Sequence, residues 1–248
     1  TACWKVEEQL PPLYQFIKSF EETFDTGIHT PLQLWRKFHS VQEQNLWLEK
    51  SEKPRLRAFM NTTFKSNDSE EISADFGFGE VKHSGRVDLK KMISIFRTHL
   101  DAGGSLLNEA FDYSAMEVSE KYIRYQSVEA EKIVFCEGHR LTQNPYFDYL
   151  PLMRTKGELL TVKLKGFQAK QLLKSSISLL PLGAEEYKLG ATFNWDDKDE
   201  VCTEEAKQEL LSKLNDLVNI SPELINHEAG LRPTVKDRRA LLGAHPSH

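Results

Sequence analysis

Cysteine is scarce in this chain of 248 residues. Cys3, Cys136 and Cys202 are odd in number, far apart, and form neither a CxxC pair nor a Cys/His pairing. A disulfide framework and a zinc site are therefore not expected, and a reducing, cytoplasmic setting is. Excess positive charge is missing as well. With 32 Lys+Arg against 37 Asp+Glu the net charge is −5, which disfavours a nucleic-acid partner held by phosphate neutralisation. No apolar run approaches the roughly 18–20 residues of a spanning helix, and no charged-then-apolar leader opens the chain, so no membrane association is expected. The eight histidines show no HxH or HExxH spacing, and GxSxG, GxxxxGK[ST] and GxGxxG are all absent. Zinc hydrolysis, a serine elbow and glycine-cradled phosphates lose their usual signatures with them. Cys136 reads as a small buried hydrophobe rather than a nucleophile. Gly77-Phe-Gly79 lacks a third glycine and opens no helix.

What is present is an ordinary globular composition, 40% apolar and 28% charged, long enough for two intertwined domains. Val6, Leu10, Leu13, Ile17, Phe20 and Phe24 recur at the helical period. Pro11-Pro12 divides them into a helix ending near Leu10 and another starting near Pro12. Leu32, Leu34, Arg36 and Phe38 alternate as a half-buried strand whose apolar face carries one charge. Ser40-Val-Gln-Glu43 has capping-box form and predicts a helix to about Lys50.

Residues 55–64 read as a strand. Gly85 is suited to a turn position with φ > 0, and Asp88 caps a helix carrying Leu89, Met92, Ile93, Phe96 and Leu100 up to Gly103-Gly104. Short strands are expected at 106–111, 116–118, 122–125 and 132–136, longer ones at 158–164, 175–180 and 188–193. A helix opened by Thr203 follows. The apolar run Ile133-Val-Phe-Cys136 suggests a strand covered on both faces, with Gly138 at its carboxyl end where a ligand can approach. The pattern is α+β with an α/β part.

Five segments in order resemble the D-amino-acid oxidase/glycine oxidase family of FAD-dependent oxidoreductases. Gly79-Glu-Val-Lys-His-Ser-Gly-Arg-Val-Asp88, ahead of a helix and Gly103-Gly104, is similar to that family's lead-in. Lys132–Gly138 resembles its strand-then-glycine element. Leu150-Pro151 with Lys156-Gly-Glu-Leu159 resembles its return into the substrate domain. Leu180-Pro181, Leu189-Gly-Ala-Thr192 and Thr203 resemble a strand and helix cap. Ala229-Gly-Leu-Arg-Pro233, Thr234, Asp237 and Leu242-Gly243 are close to its G-L-R-P-x-T-x-D element, with Ala240 where proline is usual.

The resemblance implies a partial FAD-binding domain of residues 1–25, 84–152 and 228–248 interleaved with a substrate domain of 26–83 and 153–227, the latter on a mixed, largely antiparallel sheet. It implies a C–N bond of an amino acid or N-substituted amino acid as substrate, oxidised by hydride transfer to flavin with no protein general base. Arg232 is implied to pair with the substrate carboxylate, with Arg36 and Thr192 as further pocket residues. Val118, Glu137, Gly138 and Gly243 are implied to approach the cofactor, Val118 through its backbone.

The GxGxxG unit of the family is not in residues 1–248, which open at Thr1. The chain therefore reads as a fragment that does not itself retain FAD and is itself inactive. Two alternatives remain open: the flavin oxidoreductase domain that modifies the tRNA wobble uridine, with tRNA as the one nucleic-acid exception, and a non-catalytic module derived from the substrate domain.

Overall fold

The computed structural model describes residues 5–237 and 239–246. Among them the elements run, in chain order, α1 (Val6–Phe24), β1 (His29–Pro31), β2 (Leu34–Lys37), α2 (Val41–Ser51), β3 (Met60–Lys65), β4 (Phe78–Val81), β5 (Gly85–Val87), α3 (Leu89–Ala102), β6 (Met116–Val118), β7 (Ile123–Tyr125), β8 (Val128–Ala130), β9 (Met153–Lys163), β10 (Leu172–Lys174), β11 (Ser178–Gly183), β12 (Glu186–Gly190), α4 (Glu204–Asn215) and β13 (Glu223–Thr234). The fold is α+β, as expected. The chain divides into two compact units: residues 1–104, 158–192 and 201–229 form the first, and residues 105–157, 193–200 and 230–248 the second.

The first unit is built on an eight-stranded sheet ordered β13-β9-β12-β11-β10-β2-β4-β3. Its β10–β2 pair is parallel, while β10–β11, β11–β12, β12–β9, β2–β4 and β3–β4 are antiparallel. Strand side chains alternate between faces. The buried set Leu160, Val162, Leu173, Leu179 and Leu189 joins Leu210, Leu214 and Leu217, at or just beyond α4, in one core. Full burial of a leucine is worth about 1.5–3 kcal/mol, so this cluster anchors α4 more than helix propensity does. A second cluster of Ile17, Phe20 and Ile28, with Phe24, Val87, Met92 and Ile95 against it, packs α1 on α3.

The helix starts follow the sequence closely. Ser40, Asp88 and Thr203 are N-caps whose side chains accept from the amides of Glu43, Lys91 and Ala206. Glu43 reaches back one residue further than a capping box requires, accepting from His39 N at 3.0 Å.

Several expectations are corrected. Pro11 and Pro12 lie inside a single helix, α1. The carbonyls that lose their amide partners belong to Glu7 and Glu8 in its exposed opening turn, open to solvent, and the Ile17/Phe20 packing holds the rest. The positive φ near the turn is taken by His83 (55°). Gly85 instead serves close approach, since a Cβ there would press on His29 and the Thr30 carbonyl.

The second unit holds the three-stranded antiparallel sheet β6-β7-β8. Residues 106–111 and 132–136 are not strands; both are irregular, and Val134 is 81% exposed. A continuous apolar run becomes a central parallel strand only between neighbours, and none of the described strands flanks Ile133–Cys136. Cys136 is exposed, not buried.

Candidate substrate pocket

Arg232 sits near the end of β13, and the second unit is shaped around it. A Cβ at Gly157 would collide with the Arg232 guanidinium, so only glycine lets the arginine lie across β9 at that point. Its Nη1 approaches the Lys156 carbonyl at 3.5 Å, and its Cζ lies 5.3 Å from the centre of the Phe193 ring, within cation–π range. Burial draws its pKa below the ordinary guanidinium value. The charge survives, because arginine stays protonated at any working pH.

Two carboxylates near Arg232 in sequence have cationic partners of their own. Glu228 accepts from Lys90 at 2.9 Å and Lys188 at 2.5 Å, and Asp237 faces Arg239 at 3.8 Å.

The segment carrying Phe193 is tied to β9 by a buried lysine. Lys156 is 1% exposed, and its Nζ donates to Asp199 at 2.7 Å while Asp197 stands at 3.5 Å. The Lys156 and Asn194 backbones exchange two hydrogen bonds of 2.9 Å. The Thr155 and Thr234 hydroxyls meet at 2.6 Å.

Arg232 lines a hollow of about 520 Å³ whose other walls include Phe135, Glu137, Gly138, Leu141 and Leu152. Gly138 adopts φ 57°, a conformation that favours glycine. Glu137 turns its carboxylate inward, where it accepts from the Tyr113 hydroxyl and from Asn144 Nδ2 at 2.8 Å. Burial, then this hydrogen bond, pushes the Tyr113 phenol up to about 12. Arg239 also borders the hollow, so two guanidinium groups and apolar walls define it. Such a lining suits a small anion with an apolar body.

The structure thus brings together Arg232, Glu137 and Gly138. The other expected site residues are not among the lining of that hollow. Arg36 is on β2, paired with Lys174 across the parallel ladder and 3.9 Å from Glu43. Thr192 is 5% exposed, and its hydroxyl accepts from the Glu158 amide at 2.9 Å. Both belong to the first unit. Val118 is on β6, an edge strand of the small sheet, and Gly243 is on exposed coil. Sequence reading missed Gly157, Lys156 and Phe193 as the seat of Arg232. Their signal was only the Lys156-Gly-Glu motif and a phenylalanine next to Thr192.

The fold has counterparts among known proteins. The profile of the DAO family, FAD dependent oxidoreductase, matches residues 35–248, and the chain belongs to that family. The structure is similar to glycine oxidase from Geobacillus kaustophilus (TM-score 0.78, 14% identity, covering 100% of this chain and 72% of that one). It is also similar to glycine oxidase from Bacillus cereus (0.76, 17%, 97% and 71%) and to iminodiacetate oxidase from a Chelativorans species (0.68, 13%, 90% and 66%). At these identities the likeness establishes the fold. No helix among the described residues is long and apolar enough to cross a membrane.

The described residues fit one side of a flavin site. The planar cation, the apolar walls and the Gly138 turn suit a carboxylate substrate beside a flat ring. A glycine-rich turn leading into a helix, the usual seat of the pyrophosphate, does not occur in residues 1–248.

Proposed function

We propose that this chain provides the substrate side of a FAD-dependent oxidoreductase that oxidises a C–N bond of an amino acid or N-substituted amino acid. The observation that carries the reading is the Arg232 guanidinium, seated on Gly157 beneath Phe193 and lining a largely apolar hollow. The flavin, when bound, supplies the hydride acceptor. Binding and orienting the substrate fall to this chain's own residues.

Arg232 binds the substrate carboxylate through a paired, charge-assisted contact, which fixes where the α-carbon lies. Phe135, Leu141 and Leu152 keep water from the reacting bond. Gly138, at positive φ, would let the phosphate side of the cofactor come close to the backbone. Val118 contributes main-chain amide and carbonyl groups from its edge strand to the cofactor's base, and Glu137 holds the Gly138 turn in place through Tyr113 and Asn144. Gly243 belongs to the cofactor side, and Arg36 and Thr192 to the substrate side. The division into a cofactor part (1–25, 84–152, 228–248) and a substrate part (26–83, 153–227) is part of the same proposal.

The test is a substrate screen on the full-length protein reconstituted with FAD. Glycine, sarcosine, proline and D-amino acids are offered singly, and flavin bleaching and peroxide release are followed. Reduction by at least one small amino acid or N-substituted amino acid is expected. A cofactor that is bound yet reduced by none of them overturns the reading.

A further inference from the structure

Outside the hollow, the first unit gathers three metal-ligating side chains from distant parts of the chain. Glu158 on β9, Cys202 just ahead of α4 and His227 on β13 offer one donor atom each, all within 4.8 Å of one another. We propose that these three residues form a binding site for a zinc-class divalent cation.

The chemistry selects the ion class. A thiolate beside an imidazole and a carboxylate favours zinc and its borderline-soft relatives over magnesium or calcium, which take oxygen ligands. Three protein ligands leave a fourth position for solvent, and Cys202 is exposed.

The imidazole supplies a second, independent argument. His227 Nε2 is buried and makes no properly directed hydrogen bond among the described residues, although Glu158 Oε2 stands only 2.8 Å away. A buried nitrogen left in this state calls for an explanation. A cation between it and the carboxylate is one that also uses the nearby sulfur.

Glu158 is prepared for the role. Its side chain is 3% exposed, and its oxygens accept from Thr203 N and Thr203 Oγ1, both at 2.9 Å. Outer-shell hydrogen bonds of this kind orient a ligating carboxylate.

Zinc–ligand bonds of about 2.0–2.3 Å place tetrahedral donors roughly 3.3–3.6 Å apart. The His227 Nε2–Glu158 Oε2 pair, 2.8 Å apart, must therefore open by about half an ångström to admit the ion, while the three donors together, within 4.8 Å of one another, draw in around it. The Cys202 sulfur is 3.4 Å from the His227 carbonyl, on a segment without regular structure. Binding displaces the thiol proton and any proton on Nε2 to solvent. The bound ion then fastens β9, β13 and the start of α4 at one point.

All three ligands and Thr203 belong to the first unit, so this proposal stands or falls apart from the Arg232 reading. The full-length protein is stripped with chelator and titrated with zinc by calorimetry, then with cobalt as a spectroscopic probe. One zinc per chain and a thiolate-to-cobalt charge-transfer band are expected. C202S and H227Q should each weaken zinc binding at least roughly tenfold and remove the band or shift it, while C136S keeps both. Zinc affinity and cobalt spectrum unchanged in C202S, or no stoichiometric binding by the parent, would overturn the proposal.

Discussion

Arg232 can be read from sequence only because its neighbours spell a motif, but the reason it can stand where it does lies in a residue with no side chain. Gly157 is occupied, in effect, by the guanidinium. Gly157→Ala should therefore displace Arg232, raising KM for a carboxylate substrate while leaving flavin content unchanged. An unaltered KM would show that the arginine is seated elsewhere. Glu137 teaches the opposite lesson. Its position next to Gly138 suggests a ligand contact, whereas its carboxylate serves Tyr113 and Asn144. Since the Tyr113 phenol is pushed up to about 12 and burial raises that of Tyr187 as well, absorbance titration should show a late tyrosine phase, and Tyr113→Phe should remove part of it.

Helix beginnings were legible where a short polar side chain precedes an apolar period, and Ser40, Asp88 and Thr203 all cap as read. The irregular course of residues 132–136 was not legible, because an apolar run suggests burial and leaves the covering element unspecified. Nor was β13 foreseen, since its residues from Glu223 to His227 show no clear alternation of apolar and polar types.

Contacts between distant elements were equally invisible. Glu228 on β13 joins Lys90 of α3 and Lys188 of β12. Hydrogen bonds from Lys188 and then Lys90 hold its carboxyl below the ordinary value of 4.5. A carboxyl whose folded pKa is depressed stabilises the protein above its unfolded value and loses that contribution as pH falls through the folded one. Glu228→Gln should thus lower Tm at neutral pH, with the gap to the parent closing in acid below about 4.5. A gap that stays constant with pH would show that the two lysines do not act through this charge.

At the scale of the whole molecule, the α+β class and the family were legible because five short motifs keep their order along the chain. The size and lining of the hollow were not, since they depend on where Phe135, Leu141 and Leu152 come to rest after irregular segments fold. Cofactor retention belongs to this scale too. The polypeptide of residues 1–248 contains no glycine-rich phosphate turn, and when produced alone it should purify without colour. A bound yellow chromophore on that polypeptide would show that the remaining contacts suffice.

The central claim is that Arg232 holds the carboxylate of the substrate, and steady-state kinetics of Arg232→Ala in the FAD-loaded, full-length protein tests it most directly. Loss of a hydrogen-bonded charge pair of about 1.5–3 kcal/mol should raise KM on the order of tenfold to a hundredfold. Arg232→Lys should recover only part of this, because a point charge replaces a planar fork. An Arg232→Ala protein that binds FAD normally and shows the parent's KM would contradict the account.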